Sequence, residues 1–151
     1  MFMGLALDEA RKAMAAGEVP IGAVLVKEQK VISRGHNQVE GLKDPTAHAE
    51  IQAIRKAAEE FDHWRLTNTI LYVTVEPCCM CIGAIILARI GRLVYGAKEP
   101  KTGFCGSQVD LIKTAFCRSG LILEPGVLAE KACDLMQAFF EKLRRGTEVR
   151  S

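Results

Sequence analysis

The sequence predicts a three-layer α/β/α domain on a five-stranded mixed sheet, and three observations carry that prediction. Two short apolar runs flank the polar tetrapeptide Lys27-Glu28-Gln29-Lys30, a hairpin pattern that opens the sheet with an antiparallel pair. Beyond it, single strands alternate with helical segments, the order expected of a sheet covered on both faces. Ile70 to Val75 is an almost uninterrupted β-prone run, which marks a strand buried on both sides and therefore central.

Taken in order, the first helix sets Met3, Leu7, Ala10 and Met14 on one face and closes at Gly17. Ile21 to Val26 and Val31 to Gly35 are the hairpin strands. Pro45 to Phe61 forms a second helix with Ile51, Ile54, Ala58 and Phe61 on one face, Asp44 or Thr46 as N-cap, and His48 near its start. Ile70 to Val75 then runs directly into Pro77-Cys78. Cys81 to Ala88 is apolar around its full circumference, so that helix is expected to be sandwiched, with a second subunit as one candidate cover. Arg92 to Gly96 is the fourth strand and Gly120 to Leu123 the fifth. The last helix, Leu128 to Arg145, has Leu128, Ala132, Leu135, Phe139 and Leu143 as its core stripe, with Lys142 and Arg145 off it.

At 151 residues the chain fits one domain, 1–151, long enough to bury roughly two-thirds of the surface of its unfolded form. Its formal net charge of +2 is close to balanced, so binding of a polyanion must come from local basic patches. No run is long enough to cross a bilayer, and the start of the chain turns acidic at Asp8-Glu9 without a basic leader, which predicts a cytoplasmic protein with no membrane contact. Six cysteines in such a chain point to metal binding and buried thiols more than to disulfides. The isolated Cys105, Cys117 and Cys133 are expected as small core residues.

The chemistry concentrates in His48-Ala49-Glu50 and in Pro77-Cys78-Cys79-Met80-Cys81. A Cys-x-x-Cys pair at a helix start puts both sulfurs on one face, where the helix N-terminus favours the thiolate that a metal requires. Cys78 and Cys81 fit that spacing, while Cys79 points about 100° away on a helix. Alone, such a pair equally serves as a redox couple or as half of a four-cysteine site, but the chain contains no second one. His48 completes three ligands and leaves a fourth tetrahedral position for water. His36 and His63 are the alternatives for that third ligand, and Glu50 favours His48, because His48-x-Glu50 supplies a ligand and a base from one helix start. Residues two apart lie about 200° apart on a regular helix, so both can face a metal only from an irregular first turn. Two thiolates cancel the charge of a zinc ion, leaving its water less acidified than on a three-histidine site. Glu50 then has a task as proton shuttle.

These motifs, together with Glu18-Val19-Pro20-Ile21-Gly22-Ala23-Val24, Asp44-Pro45-Thr46-Ala47-His48-Ala49-Glu50-Ile51, Leu71-Tyr72-Val73-Thr74-Val75-Glu76-Pro77, Arg89-Ile90-Gly91-Arg92 and Lys101-Thr102-Gly103, resemble the zinc-dependent cytidine deaminase superfamily and, within it, the bacterial tRNA-specific adenosine deaminases. The resemblance covers nearly the whole chain. It implies a cytidine-deaminase-like fold, one zinc ion per subunit on His48, Cys78 and Cys81, and a homodimer. It also implies hydrolytic deamination of the wobble adenosine in a tRNA anticodon stem-loop, by water attack at C6 with Glu50 moving protons. By the same resemblance Asn37 and the Ala49 backbone meet the edge of the base, Ile21 its face, and Glu99, Lys101, Phe140, Lys142 and Arg145 the RNA. Relatives with this zinc motif also deaminate free guanine or cytosine, which is the alternative function. The chain departs from the family at Arg118-Ser119-Gly120, where Asn-His-Arg is common, and at Pro100 and Phe104-Cys105, where smaller residues are common.

Overall fold

A computed structural model describes residues 1–114 and 120–150, with the side chains of 147–150 excepted. Five strands form one sheet in the order β2-β1-β3-β4-β5. They are β1 (Gly22–Lys27), β2 (Lys30–His36), β3 (Ile70–Val75), β4 (Arg92–Ala97) and β5 (Ile122–Glu124). The helices are α1 (Phe2–Ala15), α2 (Val39–Leu42), α3 (Ala49–Phe61), α4 (Cys79–Leu87) and α5 (Ala129–Arg150). β1 pairs antiparallel with β2 and β3, while β3–β4 and β4–β5 are parallel, so the sheet is mixed with β3 at its centre. The hairpin turns at Glu28 and Gln29, both with positive φ, the two-residue geometry whose twist matches the flanking strands.

Two glycines set the helices on opposite faces of the hairpin. A Cβ on Gly22 would lie 2.0 Å from the Ala6 carbonyl oxygen of α1, and one on Gly35 would lie 2.5 Å from the Ala49 carbonyl oxygen of α3. Only glycine lets each helix approach so closely. Opposite Gly35, α3 presents Ala49, Ala53 and Ala57, all fully buried. This corrects the face expected from the sequence, because Ile51, Ile54, Ala58 and Phe61 are only half-buried. Small side chains win the inner position because the bulkier ones would hold the helix off the strand. α1 ends as predicted at Gly17, whose φ of +78° lets Glu18 N–H reach the Ala13 carbonyl and Gly17 N–H the Met14 carbonyl.

The core divides along the sheet. Leu25, Leu71, Val73, Ile82, Ile85 and Leu93 gather on the α3 and α4 side, and Phe2, Met3, Ala6, Val24, Val26 and Val94 on the α1 side. A smaller cluster of Leu7, Val75, Ala97 and Ala132 joins α1 and α5 to the ends of the central strands.

Other expectations shift. α3 begins at Ala49 and not near Pro45, with His48 as its N-cap; Asp44 instead accepts Thr46 N–H and Thr46 O–H in the turn before it. In α5 only Ala132 is deeply buried, and Leu143 is exposed because α5 touches the body mainly along its first turns; Leu128, just before the helix, is also exposed. Cys105 is buried as expected, but Cys133 is exposed on α5, one residue round from Ala132. Cys117, Arg118 and Ser119 lie outside the described residues. Among those described, no helix is long and apolar enough to cross a membrane.

Candidate active site

β3 delivers Glu76, Pro77 and Cys78 at its carboxyl end, the edge at which open α/β sheets gather their ligands. α3 and α4 both begin there, with His48 and Cys78 as their respective N-caps. His48 is extended at φ −73° and ψ 156°, hence outside the helix, and Glu50 is the second residue within it. The angular conflict between residues two apart disappears, because the first of them is not helical.

His48 Nδ1 lies 3.6 Å from Cys78 Sγ and 3.5 Å from Cys81 Sγ. Bonds of about 2.3 Å to sulfur and 2.0–2.1 Å to nitrogen at a tetrahedral angle require an N···S separation of about 3.5–3.6 Å, so the donor set fits a zinc-sized tetrahedral ion. The three ligand atoms lie within 4.8 Å of one another. His36 is not with them; its Nδ1 lies 3.2 Å from the Glu9 carboxylate. His63 Nδ1 accepts the Arg65 N–H in an exposed loop. Cys79 is exposed and apart.

Hydrogen bonding from Cys81 holds the Cys78 thiol down at about 4 against its burial, and Cys81 is correspondingly pushed far up. The hydrogen bond to Cys78 raises the His48 imidazole. A divalent cation held between the two sulfurs and the imidazole nitrogen would satisfy all three groups at once. The Glu50 carboxyl, 4% exposed, accepts from Cys81 at 3.3 Å, and burial pushes its pKa upward. A carboxyl raised in this way can hold and release a proton nearer neutrality.

A cavity of about 680 Å³ opens over these groups, within the usual size for small-ligand sites. His48, Glu50 and Cys78 line it together with Ile21, Asn37, Ala49, Glu99 and Phe140. Ala49 is the first residue of α3, so its N–H has no acceptor within the helix. Asn37 is also a turn residue: its Oδ1 accepts Val39 N–H and its Nδ2 donates to the Val19 carbonyl. Lys101, Lys142 and Arg145 are exposed and do not line the cavity, and Arg145 pairs with Glu141 at 3.7 Å. Phe139, expected in the core stripe of the last helix, instead lines the cavity half-buried, and Thr102, Met136 and Glu76 join the lining without having been given a site role from the sequence. The available signal for Glu76 was a lone acid directly after a buried strand.

Residues 1–144 match the MafB19-like deaminases, and the chain belongs to that deaminase family. It is 45% identical over 148 residues to a tRNA-specific adenosine deaminase of Haemophilus influenzae, covering 97% of this chain and 86% of the relative. A solved structure from studies of A-to-I editing by tRNA:A34 deaminases at the wobble position superposes with a TM-score of 0.86 at 46% identity, covering 89% of this chain and 97% of that one. A guanine deaminase structure from Bacillus subtilis gives 0.62 at 43% identity, covering 64% and 62%.

Proposed function

We propose that this protein deaminates the wobble adenosine of a tRNA anticodon to inosine, with 1–151 acting as one catalytic unit and zinc held by His48, Cys78 and Cys81. The observation that carries the reading is the Glu50 carboxyl, buried beside a three-ligand set of zinc dimensions and lining the cavity above it. Relatives of nearly equal length named for that tRNA activity support the substrate. Zinc, when bound, supplies a Lewis acid that lowers the pKa of water.

Glu50 accepts a proton from the attacking water and passes it to the purine ring nitrogen, then takes the proton of the new C6 hydroxyl and passes it to the departing amine. Water adds at C6, the C6–N6 bond breaks, and ammonia leaves. Ile21 covers the face of the base, while Asn37 and the Ala49 backbone orient its edge. Glu99, Lys101, Phe140, Lys142 and Arg145 follow the RNA outward from the cavity, Phe140 as a stacking surface and the cations on phosphates. A second copy covers α4, an apolar helix whose Leu87 is 69% exposed; sedimentation as a monomer at micromolar concentration would remove that element.

The deciding experiment incubates the protein with an anticodon stem-loop and, separately, with free bases, with and without a chelator. Inosine in the RNA, lost on chelation and regained with zinc, is the expected result. Ammonia from free guanine or cytosine alone would establish the free-base reading, to which the guanine deaminase neighbour gives some support.

A further inference from the structure

Glu76 is 3% exposed, immediately precedes Pro77-Cys78, and has no part in the chemistry above. Its backbone N–H continues the sheet to the Ala97 carbonyl at 2.8 Å. Its side chain leaves the sheet and enters the 99–107 loop. Oε1 accepts Glu99 N–H at 3.3 Å and the Ser107 hydroxyl in a short bond; Oε2 accepts Cys105 N–H at 2.9 Å and Ser107 N–H at 3.2 Å. Among the described residues no cation forms a salt bridge with it, so this carboxylate is held by loop donors alone. The loop is shaped to it. A Cβ on Gly103 would lie 2.4 Å from the Glu76 Cδ and Oε2, so only glycine lets the backbone close over the carboxylate.

The same loop supplies Glu99 and Thr102 to the cavity wall. One buried carboxylate thus ties the strand that ends in a metal ligand to the segment that faces the substrate. We propose that Glu76 is a positioning residue which holds the 99–107 loop in its substrate-reading form, and that it sets affinity for the RNA without taking part in bond breaking. This rests on the tRNA reading of the site.

Glu76→Gln discriminates within the loop. Its amide oxygen can keep Cys105 and Ser107 N–H, and its NH₂ can donate to the Ser107 hydroxyl. The NH₂ then faces Glu99 N–H, donor against donor, so the Glu99 end is released. The test uses the zinc-loaded full chain and the variants Glu76→Gln, Gly103→Ala and Ser107→Ala. It measures zinc per chain, kcat and KM on the anticodon stem-loop, and amide hydrogen exchange along the loop.

Glu76→Gln is expected to raise KM about tenfold or more with kcat within about twofold. Zinc content stays at the parent level and exchange speeds up at Glu99 before Cys105. Gly103→Ala should reproduce the KM effect from the other side of the contact. If Glu76→Gln does not fold, Ser107→Ala, which loses only a hydroxyl, decides by the same KM and exchange readouts. Parent-level KM and exchange in folded variants would overturn the proposal. So would kcat and zinc content falling together, which would place the effect of Glu76 on the cysteine turn. A parent protein that leaves the stem-loop unchanged would overturn the tRNA reading, and loop exchange in the variants would still decide whether Glu76 holds the loop.

Discussion

Replacing Gly35 by alanine tests whether the close contact between β2 and α3 seats His48 against Cys78 and Cys81. The new Cβ would lie 2.5 Å from the Ala49 carbonyl oxygen and 2.6 Å from Ala53 N, both backbone atoms that cannot rotate away. Ordinary contact begins at 3.4 Å, so the first turn of α3 must retreat by about 1 Å. Overpacking against backbone costs about 3 kcal/mol, which lowers Tm by roughly 6–12 °C in a chain of this length. Ala49 stands between His48 and Glu50, so the retreat carries both away from the cysteines. The 3.5 and 3.6 Å nitrogen–sulfur distances open, and a displacement of that size costs about 10²-fold in turnover. Differential scanning calorimetry, zinc content after dialysis and stem-loop turnover give the three readouts. Gly4→Ala is the contrast: that glycine is helical, nothing lies within 4 Å of its Cβ position, and the change should stabilise by about 0.5–1 kcal/mol. A Gly35→Ala protein that melts at the parent temperature and keeps its zinc and turnover would refute the reasoning.

The remaining predictions concern separate groups. Glu50→Gln should lower stem-loop turnover by about 10²–10⁴-fold while zinc, measured by atomic absorption, stays bound; substantial residual turnover would remove Glu50 as proton carrier. His48→Ala should lose zinc and turnover together, and retention of the ion at parent stoichiometry would contradict the ligand set. Burial raises the Glu9 pKa, but the Lys12 and His36 contacts outweigh it and hold Glu9 below its ordinary value of 4.5. Its stabilising contribution is therefore present above pH 4.5 and lost as pH falls through the lower folded value, so Glu9→Gln should flatten the acid limb of Tm against pH. Lys142→Ala should weaken stem-loop binding and reduce the salt dependence by about one charge; an unchanged salt slope would take Lys142 off the RNA path.

The pieces of the candidate metal group were legible in the sequence because each is local. Cys78 and Cys81 are brought together by one turn of helix, and His48 and Glu50 come from one helix start. The hairpin, the central place of β3 and the mixed sheet were legible for the same reason, since apolar period and turn chemistry act over a few residues. The inner face of α3 was not, because hydrophobic period ranks Ile51 and Ile54 above Ala49 and Ala53. Closeness to Gly35, eighteen residues from Ala53, reverses that ranking. Leu143 was misplaced because period alone cannot tell how far along α5 the body extends.

The sequence by itself determined the order of elements, the grouping of His48, Cys78 and Cys81 as a candidate metal site, the neighbouring carboxyl and the deaminase family. Only the tertiary structure decided that His48 stands outside its helix, that Ile21, Asn37 and Phe140 share one cavity with Glu50, and that Glu76 grips the loop opposite. Those relations join residues up to about 120 positions apart, and they depend on strand register and on how closely a helix can approach a sheet. Such approach is governed by the backbone contacts of Gly22 and Gly35, which no local pattern contains.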